Sequence, residues 1–160
     1  MDGELFEAAR EMAIRYIDYA ARTSVEVSRR LAKAGYDEEM VAAVVADLQR
    51  AELLNDEEFS RQWVESRARS KKIGRARLAS ELRLKGVSKE AVDDALGELD
   101  PERELDTATE LARKRLGGDD PADPAVRRRL AGFLQRRGYK WETVEQVFTR
   151  IAANRDETGN

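Results

Sequence analysis

The sequence predicts an all-helical protein made of three copies of one three-helix unit. Three observations carry this. The composition favours helices, with three prolines and ten glycines among 160 residues that are 41% hydrophobic and 38% charged. Three glycines, Gly35, Gly86 and Gly138, stand 51 and 52 residues apart. Apolar residues recur at the same offsets from each of them, as internal repeats require.

Before the glycines lie Val27, Leu78 and Leu130, then Leu31, Leu82 and Leu134, four residues apart on one helical face. After them come Tyr36, Val87 and Tyr139, then Val41, Val92 and Val144, then Val45, Leu96 and Phe148, then Leu48, Leu99 and Ile151. These spacings again trace one helical face. A glycine just past a helix end takes the left-handed conformation other residues resist, and the apolar residue after it reaches back one turn, as in a Schellman stop. Asp37 and Ser88 then cap the next helix, with Tyr36 stapled on Val41 and Val87 on Val92. The third copy keeps the staple pair Tyr139 and Val144 but has Lys140 at the cap position, which weakens that start signal.

A further helix precedes each such pair. It begins near Glu4 in the first copy, after Asn55 in the second, where Glu58 completes a cap pair, and after Asp100 in the third, where Pro101 and Glu102 suit a first turn. The units are therefore expected over 1–55, 56–100 and 101–153, with a frayed polar tail over 154–160. The stretch from Gly117 to Pro124 cannot continue a helix and forms an internal loop of the third unit.

Composition also limits the chemistry. There is no cysteine and no histidine, which removes disulfides, thiolate nucleophiles, thiolate metal sites and the commonest general base. No glycine-rich phosphate loop and no metal-ligand spacing occurs. The carboxylates fall at helix starts such as Asp37-Glu38-Glu39, where the helix dipole accounts for them. The expectation is a protein that is not an enzyme and needs no cofactor. No apolar run approaches the roughly 20 residues of a membrane span, and the acidic start is unlike a secretory signal, so a cytoplasmic location is expected.

The net charge of −3 conceals segregation. From Arg61 to Lys85 nine basic residues face two acids, Glu65 and Glu81; Asp37 to Glu58 and Glu90 to Asp106 each hold eight acids against one arginine. A second basic block holds Arg127, Arg128, Arg129, Arg136, Arg137 and Lys140. Separate faces of opposite sign follow if these blocks lie on separate helices.

Three stretches resemble the RecX family, regulators of the bacterial RecA recombinase. Ala13-Ile14-Arg15-Tyr16-Ile17 leads into Ser24-Val25-Glu26-Val27 and Arg30-Leu31-Ala32-Lys33-Ala34-Gly35-Tyr36. Leu53-Leu54-Asn55-Asp56-Glu57-Glu58-Phe59 is similar to that family's junction of paired leucines, acids and an aromatic residue. The most specific is Gly74-Arg75-Ala76-Arg77-Leu78-Ala79-Ser80-Glu81-Leu82-Arg83-Leu84-Lys85-Gly86-Val87. Two departures are visible. Asn55 stands where the family has an acid, and Thr23 where a basic residue is common, a change expected to weaken a partner contact of the first unit.

The resemblance implies an elongated, curved right-handed array of three three-helix repeats that lodges, as a monomer, in the groove of a RecA filament on single-stranded DNA. It also implies modulation, mainly inhibition, of RecA's ATPase, recombinase and coprotease activities in DNA repair and the SOS response. Direct contact with DNA inside the filament stays open.

The candidate partner-binding residues are Arg67, Arg69, Lys71, Lys72, Arg75, Arg77, Arg83 and Lys85, with Arg128, Arg136 and Arg137 from the second block. Such residues suit phosphates or an acidic protein groove. The same run equally suits a solvated face neutralised by the neighbouring acidic helices, and the resemblance tilts the balance toward contact. The alternative function is a stand-alone nucleic-acid binder whose helix-glycine-helix junctions act as helix-turn-helix elements, against which stands a pI near 5.3. Tyr16, Phe59, Trp63 and Phe148 are read as core, while Trp141 beside Lys140 has no assigned place.

Overall fold

The computed structural model describes residues 1–159. Among the described residues there are nine helices and no strand: α1 (Gly3–Tyr19), α2 (Ser24–Lys33), α3 (Glu38–Arg50), α4 (Asp56–Ser70), α5 (Arg75–Leu84), α6 (Lys89–Gly97), α7 (Pro101–Leu116), α8 (Pro124–Arg136) and α9 (Trp141–Thr158). None is long and apolar enough to cross a membrane.

The helix starts follow from side-chain caps. Asp2 accepts from the Glu4 amide at 2.9 Å, Asp37 from Met40 at 2.8 Å, Asn55 from Glu58 at 3.0 Å, Ser88 from Ala91 at 3.2 Å, and Asp123 from Ala125 at 2.9 Å. Thr23 and Glu26 make a reciprocal capping box at α2. At α9 the cap position is Lys140, which makes no side-chain cap bond, so that start rests on the Tyr139 and Val144 packing instead.

All three glycines close their helices in the same way. The amides of Tyr36, Val87 and Tyr139 donate to the carbonyls of Leu31, Leu82 and Leu134 at 3.3, 3.1 and 3.1 Å. Those of Gly35, Gly86 and Gly138 donate to Ala32, Arg83 and Gln135 at 3.0, 3.0 and 2.9 Å. This is the Schellman pair of bonds, and the three φ values of 100°, 83° and 95° are the left-handed ones it needs.

The described chain forms two compact units. The first comprises residues 1–62 and 82–95; the second comprises residues 63–81 and Leu96 onward. In the first, Ala9 and Ala13 of α1, Val27 and Leu31 of α2, and Met40, Val41, Val44 and Leu48 of α3 form one core with Leu54. In the second, Leu105, Ala108 and Ala112 of α7 pack with Leu130 and Leu134 of α8 and with Tyr139, Val144, Val147, Phe148 and Ile151. Each fully buried leucine or valine contributes about 1.5–3 kcal/mol relative to exposure.

The structure corrects several details. The position nine after each glycine, Val44, Ala95 and Val147, which the offsets leave out, is also deeply buried, at 0%, 2% and 0% exposure, whereas Val45, Leu96 and Leu99 are only half-buried. The offsets of six and thirteen straddle that residue, which therefore faces the core centre. Tyr16 and Trp63 are half-buried rather than core, because Tyr16 lies under Arg22 and the Trp63 indole N–H reaches a carboxylate. The chain past Ala153 is not frayed from that point: α9 runs on to Thr158, since no glycine or proline intervenes before Gly159.

Candidate functional site

The basic segment spans the end of α4, the turn at residues 71–74 and α5, and one of its two acids organises it. Glu81, on α5, is the hub. Arg67 grips it through Nε to Oε2 at 2.8 Å and Nη2 to Oε1 at 2.6 Å, the Trp63 indole N–H donates to Oε2 at 2.9 Å, and the Arg77 Nε stands 3.8 Å from Oε1. Burial opposes ionisation of Glu81, but the hydrogen bonds from Arg67 and Trp63 outweigh it and hold the carboxyl below its ordinary range. The same pairing, against a smaller cost of burial, raises the Arg67 guanidinium above its ordinary value. Arg67 also lies over the Trp63 ring, 5.1 Å from its centroid.

Arg75 turns to α7, where its Nε donates to Glu104 Oε2 at 3.1 Å, and that carboxylate is 7% exposed. The Tyr139 hydroxyl is buried without a hydrogen-bond partner, and burial, then the charge of Glu104, raises its pKa, so it stays neutral. Lys72, in a left-handed conformation at φ 50°, places Nζ 3.5 Å from Glu110. Lys85 lies 3.5 Å from Glu26 and 5.8 Å from the centre of the Phe59 ring.

Arg137 is a clasp. Its guanidinium donates to the carbonyls of Lys71 and Lys72, while its own carbonyl accepts from the Gly74 amide at 2.8 Å and the Gly138 carbonyl accepts from Ala76 at 3.1 Å. A side chain on Gly74 would fall 2.5 Å from the carbonyl of Gly138, so the two backbones meet at a distance only glycine permits. This explains why Gly74 opens the most distinctive stretch of the sequence.

The candidate cations therefore divide. Arg67, Lys72, Arg75, Lys85 and Arg137 are engaged with carboxylates or carbonyls of their own unit, and Arg77 shares Glu81. Arg69, Lys71, Arg128 and Arg136 are exposed, and Arg83, also exposed, is not without a partner. Arg69 lies 3.7 Å from Glu65 on its own helix, a pairing worth little in water. Arg136 folds back so that Nη1 lies 3.1 Å from where a side chain on Gly132 would begin. Of the second block's remaining arginines, Arg127 covers the Phe148 ring at 4.3 Å and Arg129 pairs with Asp119 at 3.2 Å.

Glu81 and Glu104 are the residues that charge counting missed. An acid isolated in a basic helix, with a tryptophan and an arginine four residues apart on the helix before it, was the available signal for Glu81. Glu104 had no such signal, because it lies in an acidic run. Outwardly the segment offers donors and positive charge, and among the described residues no three carboxylates converge where a metal ion would bind.

Comparison with known proteins places these features in a family. Models of the first, second and third three-helix domains of RecX match residues 9–48, 55–96 and 102–148. The "Regulatory protein RecX" of Mycolicibacterium vanbaalenii is 39% identical over 158 residues, covering 94% of this chain and 86% of the relative. The protein of that name from Amycolatopsis mediterranei is 42% identical over 137 residues, covering 85% of this chain and 78% of the relative. The crystal structure of RecX from Lactobacillus salivarius superposes with a TM-score of 0.86 over 92% of this chain and 97% of that one, at 18% identity, a likeness of fold. With three three-helix repeats matched in order and relatives alike over nearly its whole length, this chain belongs to the RecX family of regulatory proteins.

Proposed function

We propose that this protein is a non-catalytic regulator that binds the RecA filament on single-stranded DNA and restrains its ATPase, recombinase and coprotease activities in the cytoplasm during DNA repair and the SOS response. The observation that carries this reading is membership of a family whose relatives are named regulatory proteins. The geometry adds support. Arg69, Arg128 and Arg136 on helices, and Lys71 in the turn after α4, present exposed cations beside filled cores, which suits a partner with acidic groups better than a small substrate. Acidic helices beside basic ones also suit a partner that carries both signs.

The stand-alone nucleic-acid reading draws less support. A recognition helix needs arginines free to reach base edges, and Arg75 holds Glu104 while Arg77 shares Glu81. For the same reason Arg75→Glu would not be a clean probe, since it would set two carboxylates together at a buried site.

The test uses ATP hydrolysis by RecA assembled on single-stranded DNA. Stoichiometric protein is expected to inhibit it, and Arg69→Glu/Lys71→Glu is expected to weaken inhibition about tenfold at an unchanged melting temperature. No inhibition by the wild-type chain would sink the reading. Tight, salt-sensitive binding to duplex DNA without RecA would favour the alternative.

A further inference from the structure

Two of the three glycine turns are covered by another part of the same unit, and the covering follows one rule. At Gly86 the cover is the first turn of α2. The Thr23 hydroxyl donates to the Lys85 carbonyl at 2.6 Å, and a side chain on Gly86 would fall 2.4 Å from Cβ of Val25. At Gly138 the cover is the first turn of α5. The Gly74 and Ala76 amides donate to the Arg137 and Gly138 carbonyls, and a side chain on Gly138 would fall 2.4 Å from Cβ of Arg77. In both, the donor-rich beginning of one helix caps the acceptor-rich end of another, an arrangement that pairs orphan carbonyls and opposes two helix dipoles favourably.

The turn at Gly35 has the same two Schellman bonds and no cover. A side chain on Gly35 would meet nothing within 4 Å, and Ala34 and Gly35 are exposed. The Ala34 and Gly35 carbonyls, equivalent to those of Arg137 and Gly138, accept no hydrogen bond among the described residues. The basic residues of the last turn of α2, Arg30 and Lys33, are exposed and without an ion pair among the described residues.

We infer that the bare end of α2 at Ala34 and Gly35 is a docking surface for a helix N-terminus of the regulated protein, with a small residue at its cap and a carboxylate in its first turn. The occupant is read from the two covered turns. Thr23 and Gly74 supply the small residue there, and Glu26 of the covering turn faces Lys85 as the partner's carboxylate would face Arg30 or Lys33. A nucleic-acid phosphate fits less well. It would meet the rim cations, but the two central carbonyls at the negative end of α2 require donors and repel an anion. A second copy of this chain fits less well too. The helix that would continue the pattern, α8, begins 14 residues before its glycine where α2 and α5 begin 11 before theirs, and its first turn is closed by Pro124 and by the Asp123 cap.

This inference rests on the proposed function, because the partner tested is RecA. The chain has no cysteine, so Ala34→Cys, at an exposed position with ordinary helical φ, takes a single photo-crosslinking label. With RecA on single-stranded DNA, irradiation is expected to join the label to RecA. Arg30→Glu/Lys33→Glu is expected to need about tenfold more protein for half inhibition at unchanged melting temperature. Loss of inhibition on labelling alone, with the melting temperature kept, would support the same conclusion. A crosslink to DNA or to a second copy would overturn it, as would a labelled protein that inhibits fully without crosslinking, or a double variant that inhibits like the wild type. If the unlabelled wild-type chain does not inhibit RecA, the functional reading itself has failed and this inference falls with it.

Discussion

The Thr23 hydroxyl donates to the carbonyl of Lys85, 62 residues away, at 2.6 Å, while accepting the Glu26 amide at 3.2 Å. Thr23 is fully buried. The residue that looks in the sequence like a lost partner charge is therefore an internal tie, holding the start of α2 on the end of α5. A basic side chain would have no room at this site without moving that contact.

Thr23→Val keeps the shape but removes both roles of the hydroxyl. It loses the cap of α2 and leaves the Lys85 carbonyl unpaired, for a combined cost of about 2 kcal/mol. Thr23→Ser should recover most of this. Urea unfolding of the three proteins measures it; equal midpoints would show that the tie contributes nothing.

The glycine turns should respond to alanine in a set order. Gly35→Ala meets no neighbour and costs about 1 kcal/mol through its left-handed backbone alone. Gly86→Ala and Gly138→Ala add clashes with Val25 and Arg77, for about 3 kcal/mol or more. Thermal melts should rank Gly35→Ala well above the other two, and three equal shifts would contradict the packing at Gly86 and Gly138.

Glu81 links stability to pH. Its folded carboxyl is held below the ordinary 4.5, so its contribution is complete above that value and is lost as pH falls through the lower, folded value. Glu81→Gln should cost about 2 kcal/mol at neutral pH, by breaking the paired bonds of Arg67, and should flatten the loss of stability below pH 4.5. Denaturant titrations across that range read both effects. Parallel pH profiles for the two proteins would remove Glu81 from the acid response.

Arg137→Lys is expected to be a poor substitute. An ammonium cannot reproduce the fork that serves the Lys71 and Lys72 carbonyls together, and the loss should be about 1 kcal/mol. Hydrogen exchange at the Gly74 and Ala76 amides should quicken, because they bond to Arg137 and Gly138. Unchanged exchange at those amides would mean the clasp does not hold the turn.

The sequence by itself determined everything governed by short spacing. Helix stops at Gly35, Gly86 and Gly138, caps at Asp37, Asn55 and Ser88, and the buried stripe through Leu31, Leu82 and Leu134 all depend on residues within a turn or two of one another. Local periodicity therefore made the three-helix repeat legible. It left out the buried position nine after each glycine, at Val44, Ala95 and Val147, because a single residue separates one face of a helix from its neighbour. Only the tertiary structure decided which cations are spent internally. Arg75 and Glu104 are 29 residues apart, and the Lys71 carbonyl and Arg137 are 66 apart. A charge in a sequence carries no record of what will fold beside it. The same holds for the glycine turns, which look alike along the chain and differ only in what covers them.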